Sequence, residues 1–467
     1  MLRTALVILS GNALTSLLTL VRNLAVARMI PVVDYGIAAT FAIAMMMVEM
    51  MSALGLQQQI VQARNGEDVR FQAGLQGFQM LRGAISALAL FALAGPIAAF
   101  MKVPEATWGF QVMAVVPILN ALIHFDMYRL NRSMIFGPGI LATTVPALLS
   151  LISLWPLAHF YGDWRVMLWA LILQAALTAV MSHVLARRPY RLVLDRAIMA
   201  QGLRFGWPIL LNGMLLFLVF QGDRLIVGRE LGMAVLAIFS MGLTLTLTPV
   251  LVLGRTIQNF FLPQLSAELG GAAPTPGRDP VFVGTVIMQL CALAGMILLV
   301  LTDLGADSFV RTVLGDKYAD LATIILHLAV IQVVRILVSG YSTLSIAAGV
   351  SIDSMYPNLF RVAVLPFSWA VISGGGGLLA LIYLAVAAEC AGFLLAIALT
   401  RKYVRIPLRR VAVSGGLLVV AVAFTLANHL WGKVDEGLVL GVQVLLIAAL
   451  IAAQTEFRRY FFSRAEG

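Results

Sequence analysis

The sequence predicts an all-α integral membrane protein of about fourteen transmembrane helices. Three observations carry this: the composition, the lengths of the apolar runs and the placement of the basic residues between them. Of 467 residues, 61 % are hydrophobic and only 12 % charged, against about 25 % charged in soluble domains. So little charge cannot cover the surface of the two or three soluble domains that this length would otherwise suggest. Lipid must be the solvent for much of the chain. The 40 glycines and 21 methionines suit closely packed membrane helices, where small residues let backbones approach.

A spanning helix needs roughly 20 apolar residues. The first such run covers about Leu2 to Ile30, the second Tyr35 to Ala63, the third Gly74 to Phe100 and the fourth Trp108 to Tyr128. Ile140 to Phe160 and Val166 to Leu185 follow as the fifth and sixth. A basic, weakly amphipathic stretch, Arg187 to Arg204, then separates them from Trp207 to Val227 and Ala234 to Leu265. Next come Val281 to Thr302, Ala322 to Ala348, a short run Pro357 to Ile372, and Leu378 to Leu399. After a second basic linker, Arg401 to Arg410, the last two are Val411 to Leu430 and Leu438 to Ala453. The expected organisation is residues 1–190 as an N-lobe of helices one to six, 191–405 as a C-lobe of helices seven to twelve, and 406–467 as helices thirteen and fourteen. No soluble domain of any size is expected.

The net charge of +10 would suggest nucleic acid in a soluble protein. Here the basic residues sit in short loops, so membrane orientation explains them and no nucleic-acid partner is expected. With the N-terminus cytoplasmic, the even-numbered junctions and both termini hold 19 Lys and Arg, and the opposite junctions hold 7. That asymmetry orients both termini to the cytoplasm. The N-terminal run resembles a signal peptide around Ala25-Val26-Ala27. It is too long for one, however, and Arg22 and Asn23 lie just before that point, so it is read as a retained span. Cys291 and Cys390 sit apart in apolar runs and give no disulfide framework or metal spacing. His124, His159, His183, His327 and His429 are scattered, and Gly374–Gly377 reads as a turn and not a nucleotide loop. No metal and no cofactor is expected. Energy would come from an ion gradient, the membrane potential or removal of product.

A shift of 201 positions places Leu24 on Leu225, Val26 on Val227, Arg28 on Arg229, Ile37 on Ile238 and Leu56-Gln57 on Ile257-Gln258. Six helices between copies keep both in the same orientation, a parallel repeat with its axis along the membrane normal. Transporters with such halves place the substrate path between them. Helices thirteen and fourteen lie outside the repeat.

The first run reads Thr15-Ser16-Leu17-Leu18-Thr19-Leu20-Val21-Arg22-Asn23, and Asp34-Tyr35-Gly36 follows its exit. The second half opens Gln221-Gly222-Asp223-Arg224-Leu225-Ile226-Val227-Gly228-Arg229, and the eighth run ends Phe261-Leu262-Pro263-Gln264-Leu265-Ser266. With this layout the chain resembles the polysaccharide transporter branch, the Wzx-like flippases, of the multidrug/oligosaccharidyl-lipid/polysaccharide exporter superfamily. That branch is related to lipid II flippases and to multidrug and toxin extrusion transporters. The resemblance implies two six-helix lobes around a central cavity, plus two C-terminal helices. It also implies flipping of an undecaprenyl-pyrophosphate-linked oligosaccharide from the cytoplasmic to the periplasmic leaflet of a bacterial inner membrane. The pathway would make exopolysaccharide, capsule or O-antigen, with a polysaccharide polymerase and glycosyltransferases as further partners. In lipid II flippases an arginine near this point of the first helix serves the cavity. Arg22 is the matching position, and Asn23 stands where an acid often follows.

A charge at the bilayer centre costs about 2.5–3.5 kcal/mol on insertion scales, so charges within the runs need a partner, water or a ligand. Arg22, Arg82, Arg224, Arg255, Arg335 and Arg361 lie in or at the edge of runs, against the acids Glu49, Asp223 and Glu389. The surplus of guanidinium suits a pyrophosphate headgroup. Asn12, Thr15, Thr19 and Arg22 share one helical face, a polar stripe that should face either the cavity or other helices. Arg22, Asn12, Thr15, Thr19, Arg224, Arg255, Arg335 and Arg82 are the substrate-binding candidates. Glu49 and Asp223 are the candidates for coupling to H+ or Na+. Structural readings stand beside these: Asp223 and Arg224 as glue between helices, Arg82 and Arg361 snorkelling to headgroups, and Arg28 and Arg229 at the interface.

Three other functions compete. A multidrug antiporter on the same fold should hold acids and aromatics, where this chain holds arginine. A membrane-embedded polymerase usually carries a large periplasmic loop, and the longest here, about Asp303 to Asp320, is small and lacks a catalytic carboxylate pair. A scaffold that gathers glycosyltransferases remains open as an additional role.

Overall fold

The computed structural model describes residues 2–269, 279–431 and 436–462, with side chains except at 2–10, 12, 408, 430, 431, 436, 461 and 462. Among the described residues there are helices and turns and no strand. In chain order the helices begin with α1 Leu2–Met29, α2 Val32–Ser52, α3 Leu56–Gln62, α4 Val69–Phe100, α5 Thr107–Met113 and α6 Val115–Ala121. They continue with α7 Asp126–Arg132, α8 Gly137–Phe160, α9 Arg165–Val184, α10 Arg196–Glu230, α11 Met233–Leu269 and α12 Pro280–Phe309. The last are α13 Ala319–Ala347, α14 Tyr356–Ser373, α15 Leu378–Thr400, α16 Leu408–Trp431, α17 Glu436–Ala453 and α18 Thr455–Phe462.

Eleven of the described helices are long and apolar enough to cross a membrane, or twelve when the bent pair Pro104–Ala121 and Asp126–Arg132 counts as one span. The chain is a multi-pass membrane protein. The other two of the fourteen expected runs correspond to α1 and α17, which are not among those twelve. Proline inside α4, α8, α10, α11 and α14 is tolerated because neighbouring helices re-satisfy the freed backbone groups.

The helices divide into two compact units, Met1–Ile238 and Phe239–Gly467. In the first, α1 packs on α8, α8 on α9, and α4 on α5 and α6. Helix α10 lies against α2, α3 and α4, so it belongs with this unit. In lipid, apolar helices gain nothing from hiding Leu from water, so small residues and polar bonds decide which pairs form. On α10, a Cβ at Gly206 or Gly213 would stand 2.2 Å from the carbonyl oxygen of Leu54 or Met50. Only glycine permits that approach.

Two expected elements differ in this unit. The second run is not one helix: α2 ends at Ser52, and α3 starts after Gly55, whose φ is +61°. That left-handed conformation suits glycine. The basic stretch Arg187 to Arg204 is also only partly a linker. Val193 N donates to Ala73 O at 3.1 Å, strapping the chain over α4, and α10 begins at Arg196. Asp195 caps it, accepting from Ala197 N at 2.9 Å and Ile198 N at 3.4 Å.

In the second unit α12 and α13 pack along their lengths, with α15 against α13 and with α16, α17 and α18 against α12. One apolar core joins Phe261, Val286, Ile287, Ile336 and Leu344, and a second joins Leu299 and Val300 to Leu418, Ala421 and Leu450. The C-terminal helices are therefore integral to this unit. Gly375, with φ +98°, makes the turn expected at Gly374–Gly377.

Candidate functional site

The break after α2 opens a cavity of about 340 Å³ in the first unit, lined among others by Glu49, Gln57, Gln79, Arg82 and Asn120. Helix α2 brings Glu49, α4 brings Gln79 and Arg82, α6 brings Asn120, and α3 brings Gln57. Glu49 Oε1 accepts from Asn120 Nδ2 at 3.1 Å. Arg82 Nη1 donates to Ser52 O at 3.0 Å and Ser52 Oγ at 3.1 Å. The carbonyl acceptor is open because the helix ends at Ser52 and leaves its last carbonyls without intrahelical partners. No ion pair within 4.0 Å joins Arg82 to Glu49 among the described residues, and Arg82 Nε is buried without a hydrogen-bond partner. The guanidinium is thus hydrogen-bonded to neutral acceptors, with the Glu49 carboxyl in the same cavity and in electrostatic reach of it but not paired with it. Amides both donate and accept, which matches hydroxyl-rich ligands, while guanidinium matches phosphate.

The other candidates lie elsewhere. Arg22 is buried on α1 and donates from Nη1 to Gln174 Oε1 on α9. Thr15 Oγ1 pairs with Thr144 Oγ1 of α8 at 2.7 Å and also reaches Gly11 O, and Thr19 Oγ1 donates to Thr15 O. Of the two faces open to the polar stripe of α1, it takes the one against neighbouring helices. The side chain of Asn12 lies outside the described residues. Arg224 Nη1 donates to Gln221 Oε1 at 3.2 Å, and both Arg22 and Arg224 act electrostatically on the buried phenol of Tyr35. Asp223 beside it is half-buried. Arg255 is exposed on α11 and makes no ion pair among the described residues.

Arg335 has a different role. On α13 it donates from Nε to Glu389 Oε1 of α15 at 2.5 Å, while Arg361 of α14 donates to Glu389 Oε2. Arg361 also donates to Asn358 Oδ1 at 2.8 Å. Glu389 is 1 % exposed. One carboxylate therefore ties three helices of the second unit together with a net charge of +1, and Arg361 is held by Glu389 where snorkelling was the expectation.

Sequence reasoning brought Glu49 and Arg82 forward as candidates of different kinds; the fold puts them in one cavity. It passed over Gln57, Gln79, Asn120 and Gln174. Amides inside apolar runs were the available signal, since a polar group in lipid needs a partner as a charge does. Among the described residues, no group of His, Cys, Asp or Glu is arranged to hold a metal.

A family model described as polysaccharide biosynthesis protein matches residues 25–323. Among proteins with curated descriptions, none matches. Several solved structures share the fold. The lipid II flippase MurJ, in an inward closed conformation, superposes with a TM-score of 0.73 at 12 % identity, over 97 % of this chain and 99 % of that one. An inward-facing multidrug resistance MATE family transporter of the MOP superfamily gives 0.65 at 13 % identity, over 83 % and 95 %. A MOP superfamily transporter from Pyrococcus furiosus gives 0.54 at 14 % identity, over 86 % and 94 %. At these identities the likeness is one of fold. The match covers more than half of the chain, and the layout and motifs at the openings of its two halves point the same way: the chain belongs to the polysaccharide biosynthesis protein family and has the fold of the MOP superfamily transporters.

Proposed function

We propose that the chain is a flippase that carries an undecaprenyl-pyrophosphate-linked oligosaccharide from the cytoplasmic to the periplasmic leaflet of a bacterial inner membrane. It would serve exopolysaccharide, capsule or O-antigen assembly alongside a polymerase and glycosyltransferases. The carrying observation is the cavity at the end of α2, where Arg82 makes no ion pair within 4.0 Å among the described residues and shares the lining with Glu49, Asn120 and the glutamines. Family membership and the fold shared with a lipid II flippase support the same reading. Arg82 takes a phosphate oxygen, and Asn120, Gln57 and Gln79 take sugar hydroxyls. Glu49, hydrogen-bonded to Asn120, is the group through which H+ or Na+ coupling acts on that amide. Arg22 and Arg224 add positive potential around Tyr35. The excess of basic residues in the even-numbered junctions puts this end of the first unit, and both termini, on the cytoplasmic side. Alternating access moves the loaded headgroup across.

The test is the sidedness of the lipid-linked glycan in a deletion strain complemented with wild type, Arg82→Ala or Arg22→Ala, each at normal membrane level. The expected result is glycan trapped on the cytoplasmic face in the deletion and in Arg82→Ala, with surface polymer lost. A single buried charge-assisted contact of about 1.5–3 kcal/mol corresponds to a drop of roughly ten- to a hundredfold. Glycan reaching the periplasmic face normally in the deletion, with no second flippase present, would sink the flippase reading. Normal flipping by Arg82→Ala would remove the cavity from it.

A further inference from the structure

The second unit carries a different kind of cavity. Helices α11, α12 and α13 enclose an apolar groove of about 550 Å³, walled by Leu245, Pro249, Leu253, Leu293, Ile297 and Leu301. It abuts a polar cavity of about 360 Å³ that holds Asp303, Asp307, Arg311, Thr323 and His429. Thr302, Ala306 and Ile325 line both, so the two adjoin. Each volume lies within the roughly 300–1,000 Å³ of small-ligand sites. An apolar trough running into a polar end has the shape of one amphiphile.

The polar end fixes the kind of amphiphile. Asp303, Asp307 and Arg311 recur every four residues and so share one side of the chain. Asp307 pairs with Arg311 at 3.0 Å. Asp303 accepts from Gln443 of α17 and is in electrostatic reach of His429, whose Nε2 lies 3.2 Å from Thr323 O. Two carboxylates, Asp303 and Asp307, line this end against one guanidinium, that of Arg311. An anionic headgroup would meet repulsion there. A zwitterionic one fits, its ammonium at Asp303 and its phosphate at Arg311. We infer that this groove is a binding site for a bilayer aminophospholipid, with one chain along α11 and α12 and the amine against Asp303. The site opposes the charge of a polyprenyl pyrophosphate and is independent of the flippase reading.

Gly305 supplies a clean probe. It lines the apolar groove, and a Cβ built there meets nothing within 4 Å. Gly305→Leu therefore starts from open space and extends an apolar side chain into the trough. The full chain is reconstituted in vesicles of equal phosphatidylethanolamine and phosphatidylglycerol and extracted in detergent, and the retained lipid is counted by native mass spectrometry. Wild type should retain the ethanolamine lipid enriched about fivefold over bulk, the size of effect one part-exposed ion pair gives. Asp303→Asn should bring that ratio close to one. Gly305→Leu should lower the number of retained lipids while thermal unfolding stays as in wild type. Enrichment of phosphatidylglycerol overturns the assignment, as does wild-type retention in both variants.

Discussion

The first unit, Met1–Ile238, and the second, Phe239–Gly467, treat polar groups within their helices in opposite ways. Glu49, 201 residues before Val250, stands in the first half where the second has a core residue that is 5 % exposed. Gly55, where the helix breaks, falls on Thr256, where α11 runs on without interruption. Under the expected 201-residue shift, the first unit opens a polar cavity where α11 of the second runs on unbroken. The second half keeps its intramembrane charge instead in a closed clamp of Arg335, Glu389 and Arg361. Arg82 of the first unit makes no ion pair among the described residues, whereas Arg335 and Arg361 of the second are both spent on Glu389 in holding helices.

Removing Arg82 from the first unit should affect function, and removing Glu389 from the second should affect folding. The largest expected effect is at Glu389. Glu389→Ala strands two part-buried guanidinium groups, a loss of about 3–5 kcal/mol for a broken buried pair. Thermal unfolding in detergent should show it as a large fall in midpoint and in membrane yield, while Arg82→Ala unfolds as wild type does. Equal midpoints for the two variants would erase the distinction. A smaller effect is expected at Gly55. Gly55→Ala forces a Cβ into the left-handed region at about 1–2 kcal/mol, and that Cβ stands 2.3 Å from Ile209 Cδ1. Transport should fall more than stability because the cavity wall moves, and rates measured at matched protein levels decide it.

The smallest effect concerns Asp195, outside the spans. The N–H of Ile198, the side chain of Arg70 and the N–H of Ala197 hold its carboxyl below the ordinary carboxylate range. A group with a depressed folded pKa stabilises fully above its unfolded pKa, and that contribution fades as pH falls through the folded value. Amide protection over the first turn of α10, measured against the intrinsic exchange rate at each pH, should therefore fall in acid in wild type and be low at every pH in Asp195→Ala.

The fold class was legible because lipid imposes it: a run of apolar residues that long has few alternatives to a helix. The end of α2 at Ser52 was not legible, since the run from Tyr35 continues apolar through Leu54 and Leu56 and only Gly55 marks the turn. Partners were hidden for another reason. Arg22 meets Gln174, 152 residues away, and Glu389 meets Arg335 and Arg361 from two other helices. Helical spacing says which residues share a face, but not which helix that face meets. The unit boundary at 238/239, against a lobe boundary expected at 190/191, has the same origin. Hydropathy gives α10 its length, while its glycines choose α2 as neighbour.

Those glycines have a mechanical consequence. Gly206 and Gly213 set the backbone of α10 against the carbonyls of Leu54 and Met50, immediately beside Glu49 and the turn at Gly55. Two backbones that close, with no side chain between them to slide or flex, behave as one strut. Ile209, between the two glycines, is itself part of the cavity wall. A displacement of α10, including one started at the strapped stretch around Val193, is therefore delivered to the cavity without play, and the charge on Arg82 is read against a wall that shifts with it.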